Sequence, residues 1–212
     1  MHCCVKMSHN RIVLSKDDDA SMPYRETTHP YTSFVCSRKM AIFMNVATLQ
    51  GHTNAVFGCD ISRDEILAST SWDKTVRLWD MNTQQCINVL NGHAGRCQRC
   101  CFTADGTLLA STSDDKTVRL WDMRTRHSIA TLQDSNCSTY QCSFSSDGSW
   151  IAAACIDARV ARVWDVKTLR CIATLNHGCK VWTCSFSADG TIAPAGDASE
   201  HNPHSCVVHL WK

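Results

Sequence analysis

The sequence predicts an all-β chain assembled from about four copies of one unit, each unit being four short antiparallel strands. Three observations carry this. The nine residues DKTVRLWDM occur twice, at 73–81 and 115–123. Trp79, Trp121, Trp164 and Trp211 mark a longer repeat, with spacings of 42, 43 and 47 residues. Runs such as LLASTS and TVRLW alternate and are rich in Val, Leu, Thr and Trp, while no segment sustains a helical apolar period.

The copies fall near 47–90, 91–132, 133–175 and 176–212, within a repeat region spanning 36–212. The first runs from Gly51-His52 through Asp73 to Trp79-Asp80, and the second from Gly92-His93 through Asp115 to Trp121-Asp122. The third carries FSSDG, Asp157 and Trp164-Asp165; the fourth carries FSADG and ends at Trp211. Asp105-Gly106, Asp147-Gly148 and Asp189-Gly190 read as hairpin turns, since both residue types tolerate the required backbone angles. One such sheet cannot bury both faces alone, so neighbouring units must stack. Residues 1–35 lie outside the repeat, hold Asp17-Asp18-Asp19, and read as a disordered arm.

Composition limits the function classes. A chain of 212 residues, 44% hydrophobic, can bury a core. A net charge of +1 supplies no basic field for nucleic acid. No apolar run reaches the roughly 20 residues of a membrane span, and the N-terminus lacks a signal-peptide core. The expectation is a cytoplasmic or nuclear, non-secreted protein whose 15 cysteines stay free.

The repeat length, the Gly-His marks and the Trp-Asp endings together resemble the WD-repeat family of β-propellers over roughly 39–212. The resemblance implies a propeller of about four blades and a non-enzymatic scaffold for protein or peptide partners. With the composition above, the expectation is no cofactor, no nucleic acid and no membrane. A finer reading is an adaptor or substrate receptor of a ubiquitin ligase, although residues 1–35 show no convincing adaptor-binding element.

His52, Ser69 and Asp73 also suggest a hydrolase triad, and His93, Ser111 and Asp115 repeat it. Recurrence once per unit argues against catalysis, since geometry rather than composition makes a triad. The resemblance supplies the structural alternative: a buried relay joining Trp79 to Ser69, His52 and Asp73, and Trp121 to Ser111, His93 and Asp115. The third copy keeps Asp157 and Trp164, with one extra residue between them, but has Ala153 at the serine position. The fourth has a displaced His177 and Pro194 at the serine position.

Cys59, Cys100, Cys142 and Cys184 share one repeat position, and Cys86 and Cys171 another, so all six read as small buried hydrophobes. Cys97 and Cys100 have a metal-type spacing without a second pair to match it. His201, His204 and Cys206 are a second metal candidate, in a polar loop near Asp197 and Glu200.

In WD-repeat proteins that this chain resembles, partner contacts come from recurring positions on each blade. Those positions hold Phe57, Gln98, Tyr140 and Trp182; two residues earlier, Ala55, Arg96, Ser138 and Lys180; and before the structural Asp, Trp72, Asp114 and Ile156. Large aromatics with an Arg are the usual anchors of a protein interface.

Rings of this family usually take about seven blades, so four leave the ring incomplete. Three arrangements accommodate that: missing blades in a longer chain, assembly with another chain such as a second copy, or a distorted four-bladed closure. The strand expected near 42–49 matches the outer strand that the last blade lacks.

Overall fold

A computed structural model describes residues 4–8, 11–17, 43–133, 138–196 and 210–211, with side chains from residue 47 onward. Every regular element described is a strand. β1 (Cys4–Ser8), β2 (Arg11–Asp17) and β3 (Phe43–Leu49) form a three-stranded sheet in that order. Part of the segment read as a disordered arm is therefore extended; β2 contains the β-prone run Ile12-Val13-Leu14, which the composition-based reading passed over. Among the described residues β3 pairs with β2 and not with the last sheet, and Ile12–Leu49 and Asp17–Phe43 mark the two ends of that pairing.

Three four-stranded antiparallel sheets follow. The first holds β4 (Val56–Ile61), β5 (Ile66–Ser71), β6 (Val76–Asp80) and β7 (Gln85–Leu90). The second holds β8 (Cys97–Phe102), β9 (Leu108–Ser113), β10 (Thr117–Asp122) and β11 (His127–Gln133). The third holds β12 (Thr139–Phe144), β13 (Trp150–Cys155), β14 (Val160–Asp165) and β15 (Cys171–Asn176). In the fourth unit, β16 (Val181–Phe186) pairs with β17 (Ile192–Gly196), and Trp211 makes an isolated bridge to Ile192. The fourth blade thus differs from the four strands expected, among the described residues: Pro194, without an N–H, sits in β17, and 197–209 lie outside the described residues.

The turns explain why the units repeat so closely. Gly106, Gly148 and Gly190 take φ of 75°, 73° and 83°, where a side chain is strained. The first unit has no glycine there, and Glu65 takes φ 58° instead. After each structural Asp, Lys74 (72°), Lys116 (68°) and Arg159 (58°) turn the chain the same way; the third unit's extra residue is absorbed in that turn.

The core lies between sheets. Ala68, Val76 and Leu78 of the first sheet pack with Cys100, Leu109 and Trp121 of the second. Ala110, Val118 and Leu120 pack in turn with Cys142, Ile151 and Trp164 of the third. Ala152, Ala154 and Val163 then pack with Val181, Cys184 and Ile192. Each buried Leu, Ile or Val contributes about 1.5–3 kcal/mol relative to exposure, and only neighbouring sheets provide it. The outer strands are half solvated: Ile129 and Ile172 are 52% and 51% exposed. Cys86 and Cys171, expected to be buried, are exposed because they lie at the start of β7 and β15, the outer strands of their sheets among the described residues.

Candidate functional site

Two residue constellations recur, one inside the blades and one where the inner strands meet. Inside the first blade, His52 Nδ1 lies 2.8 Å from Asp73 Oδ2, and its Nε2 lies 2.8 Å from Ser69 Oγ. Trp79 Nε1 donates to the same Ser69 Oγ at 2.8 Å. Asp73 also accepts the Thr75 hydroxyl at 2.7 Å and the Thr53 amide at 3.0 Å. With the Nδ1 proton donated to Asp73, Nε2 accepts from the Ser69 hydroxyl, so both ring nitrogens, the hydroxyl and the indole N–H of this relay have partners.

The second blade repeats this arrangement. His93 bridges Asp115 Oδ2 and Ser111 Oγ, each at 2.8 Å, and Trp121 Nε1 donates to Ser111 Oγ at 2.9 Å. In the third blade Ala153 has no hydroxyl to offer, and exposed Asp157 accepts the Ser138 amide at 3.4 Å. Trp164 is buried there among apolar neighbours.

The electrostatics suit a structural network. Burial opposes ionisation of Asp73, but the Thr75 hydroxyl, His52 and the Thr53 amide outweigh it and hold the carboxyl at about 2. Asp115 is lowered in the same way, its burial outweighed by His93 and Thr117. Burial lowers the His52 imidazole, against the pull of Asp73. Ser69 and Ser111 are fully buried and already accept an indole N–H. A hydrolytic nucleophile must reach its substrate, and these hydroxyls face tryptophan.

The second constellation gathers most of the contact residues singled out in the sequence. The inner strands β4, β8, β12 and β16 are neighbours in that order. Gly58 on β4 permits a close approach: a Cβ there would lie 2.6 Å from the Gln98 carbonyl oxygen on β8. The side chains of Phe57, Tyr140 and Trp182 then converge. Phe57 stacks on Trp72 with centroids 5.6 Å apart, and meets Tyr140 edge-on at 5.8 Å. Tyr140 meets Trp182 edge-on at 5.3 Å. A ring from the first blade touching one from the third, past the second, shows that these side chains turn inward from the arc of strands.

Cations cap the rings. The Arg96 guanidinium lies 4.6 Å above Trp72, and that of Arg99 lies 5.6 Å from Phe57. Backbone bonds tie the two sets of contact positions together: Trp72 N to Ala55 O at 2.9 Å, Asp114 N to Arg96 O at 3.0 Å, and Ile156 N to Ser138 O at 3.4 Å. Lys180 is exposed beside Trp182 in sequence, and Ile156 is half-buried. Gln98 is buried, with Nε2 donating to Asp114 Oδ1 at 2.7 Å. Among the described residues, Trp72 Nε1 and Gln98 Oε1 have no hydrogen-bond partner. The aromatics are half-buried against one another, so they form one continuous cluster with polar atoms to spare.

Sequence reasoning missed Arg99, because its position does not hold an Arg in the other units. It also missed the interblade contact between Cys101 Sγ and Cys142 Sγ at 3.3 Å. Cys97 and Cys100 are buried in the core, and burial, then Asp115, pushes the Cys97 thiol up to about 12. No group of three metal-ligating side chains occurs among the described residues. His201, His204 and Cys206 lie outside those residues.

The family model for the WD domain, G-beta repeat, matches residues 43–80, 84–122 and 126–165, more than half of the chain. Nuclear distribution protein nudF 1 of Talaromyces marneffei is 34% identical over 46% of this chain and 22% of its own length. Eukaryotic translation initiation factor 3 subunit I of Aspergillus oryzae is 32% identical over 47% of this chain and 28% of its own length. F-box/WD repeat-containing protein sel-10 of Caenorhabditis elegans is 44% identical over 23% of this chain and 8% of its own length. The chain spans less than a third of each of these relatives. With three repeats matched and three four-stranded sheets in place, the chain belongs to the WD domain, G-beta repeat family.

Proposed function

We propose that this chain is a non-enzymatic scaffold that holds protein or peptide partners at the face formed by Phe57, Trp72, Tyr140 and Trp182. The observation that supports it is the unbroken aromatic series from Trp72 to Trp182, capped by Arg96 and Arg99. Rigid aromatics lose little conformational entropy on binding, and Arg adds directional donors. Asp114, Ile156 and Lys180 form the rim.

Affinity capture with mass spectrometry tests this, comparing the wild type with the triple variant Trp72→Ala, Tyr140→Ala, Trp182→Ala. The expected result is loss of the captured partners while the β-sheet circular dichroism spectrum is retained. Full capture by the folded triple variant would sink the proposal.

A finer reading is service in a ubiquitin ligase. It is supported by a relative named as an F-box/WD repeat-containing protein and by another named as a probable E3 ubiquitin ligase complex SCF subunit. Co-capture of a ligase core subunit would favour it, and capture without one would turn the reading to another assembly.

A further inference from the structure

We propose that Cys101 and Cys142 form an oxidisable dithiol that takes a hydroperoxide and closes a disulfide between the second and third blades. The two sulfurs are 3.3 Å apart across the junction of β8 and β12. A disulfide requires about 2.05 Å, so the sulfurs need to close by little more than 1 Å.

The repeat supplies its own controls. Cys100, Cys142 and Cys184 occupy one position on successive inner strands, each facing back toward the preceding blade. The position that faces forward holds Asp60 at the first junction and Cys101 at the second, and the matching repeat position at the third holds Ser143. Asp60 is committed to the Phe102 amide at 2.7 Å. Among these three junctions, only the second places sulfur on both sides. Repetition of the core cysteine explains Cys142; it does not explain Cys101.

Exposure assigns the roles. Cys101 is half-buried and Cys142 is 3% exposed. The Cys101 thiolate attacks a peroxide oxygen and breaks the O–O bond, giving a sulfenic acid and hydroxide (for hydrogen peroxide). The Cys142 sulfur then attacks the Cys101 sulfur, breaks the S–O bond and loses its proton. The products are one disulfide and, after proton transfer, two waters per hydrogen peroxide. The contact with Cys101 and burial both raise the Cys142 thiol, which disfavours it as the peroxide-attacking group, whereas its position 3.3 Å from the Cys101 sulfur places it for the second step.

The bond would tie β8 to β12 close to Arg99 and Tyr140, so oxidation would also stiffen the aromatic face. That consequence rests on the docking reading; the disulfide itself does not.

Equimolar hydrogen peroxide, quenching with N-ethylmaleimide and tryptic mapping without reductant test the proposal. The expected product links peptide 100–116 to peptide 127–159. It should vanish with dithiothreitol and be absent from Cys101→Ser and Cys142→Ala, but persist in Cys100→Ala. Serine is tolerable at 101, because Ser143 fills the matching position of the next blade. Oxidation should also raise the melting temperature of the wild type and leave that of Cys101→Ser unchanged. A link that survives in Cys101→Ser, or a wild type with only singly modified Cys101, would overturn it. Partner capture that is unchanged by oxidation while the link forms would count against the docking consequence and leave the disulfide standing.

Discussion

Thr70 donates its hydroxyl to the Gln98 carbonyl of the next blade at 2.8 Å. Thr112 does the same to Tyr140, also at 2.8 Å. These clasps join the second strand of one blade to the inner strand of the next, beside the aromatic rings. In the third unit the matching residue is Ala154, which has no hydroxyl to donate toward the fourth. The first two junctions therefore combine apolar packing with a short directional bond, whereas the third packs Ala152, Ala154 and Val163 against the fourth unit and keeps the longer Ser146–Ala188 and Cys184–Gln141 contacts, at 3.5 and 3.8 Å.

Thr112→Val tests the clasp. Valine keeps the shape and removes the donor, leaving the Tyr140 carbonyl with one fewer partner. The expected loss is about 1–2 kcal/mol. It should appear as a lower urea midpoint with an unchanged slope. The same substitution at Thr70 should cost a similar amount, since its bond is equally short. An unchanged midpoint in both variants would remove the clasps from the account of junction stability.

Asp115→Ala should destabilise by about 1–3 kcal/mol, because His93, Thr117 and the Ala94 amide all lose their acceptor. Asp157→Ala should have a much smaller effect, since Asp157 is exposed and accepts the Ser138 amide at only 3.4 Å. Thermal unfolding of the two variants side by side measures the contrast. Equal melting temperatures for Asp115→Ala and the wild type would show that the network adds nothing.

Much of this architecture was legible in the sequence because it is periodic. The Gly-His, Ser, Asp and Trp positions recur, and the same hydrogen bonds recur at them in the first two blades. The aromatic face was legible as a set of positions but not as a cluster: contact between Phe57 and Tyr140 depends on the curvature of the inner strands, which no spacing encodes. The cysteines misled at Cys86 and Cys171, where alternation alone could not tell a covered strand from an outer one. The pairing of β3 with β2 was hidden for the same reason. A strand's pattern states which side is apolar, not which neighbour supplies its hydrogen bonds.

Acidification should destabilise the first blade in two stages. His52 has a folded pKa below its ordinary 6.5, so the unfolded chain binds that proton first. Its contribution is present above pH 6.5 and is lost as pH falls through the lowered value. Asp73 ordinarily titrates at 3.8 and is held at about 2 when folded, so its contribution is present above 3.8 and lost toward 2. Melting temperatures should therefore fall from pH 7.5 to 5.5, and again from pH 4 to 2. In Asp73→Asn the second decline should be shallower, because the asparagine does not titrate. A wild-type profile that is flat from pH 7.5 to 2 would contradict both shifts.

Thiol labelling separates the cysteines by environment. Cys86 and Cys171 are exposed and should react with a chromogenic disulfide reagent within the first phase. Cys97, Cys100, Cys142 and Cys184 are buried. Burial also raises the thiols of Cys97, Cys100 and Cys184, and the contact with Cys101 adds to burial at Cys142, so little thiolate forms. These four should label only as the blades open, at a rate that follows unfolding rather than reagent concentration. Destabilising Asp115→Ala should accelerate labelling of Cys97, which neighbours that relay, more than labelling of Cys184 in the fourth blade. Equal acceleration at both would mean that the blades open as a single cooperative unit; selective acceleration at Cys97 would show that each blade answers to its own network, as expected where repeats contact only their neighbours.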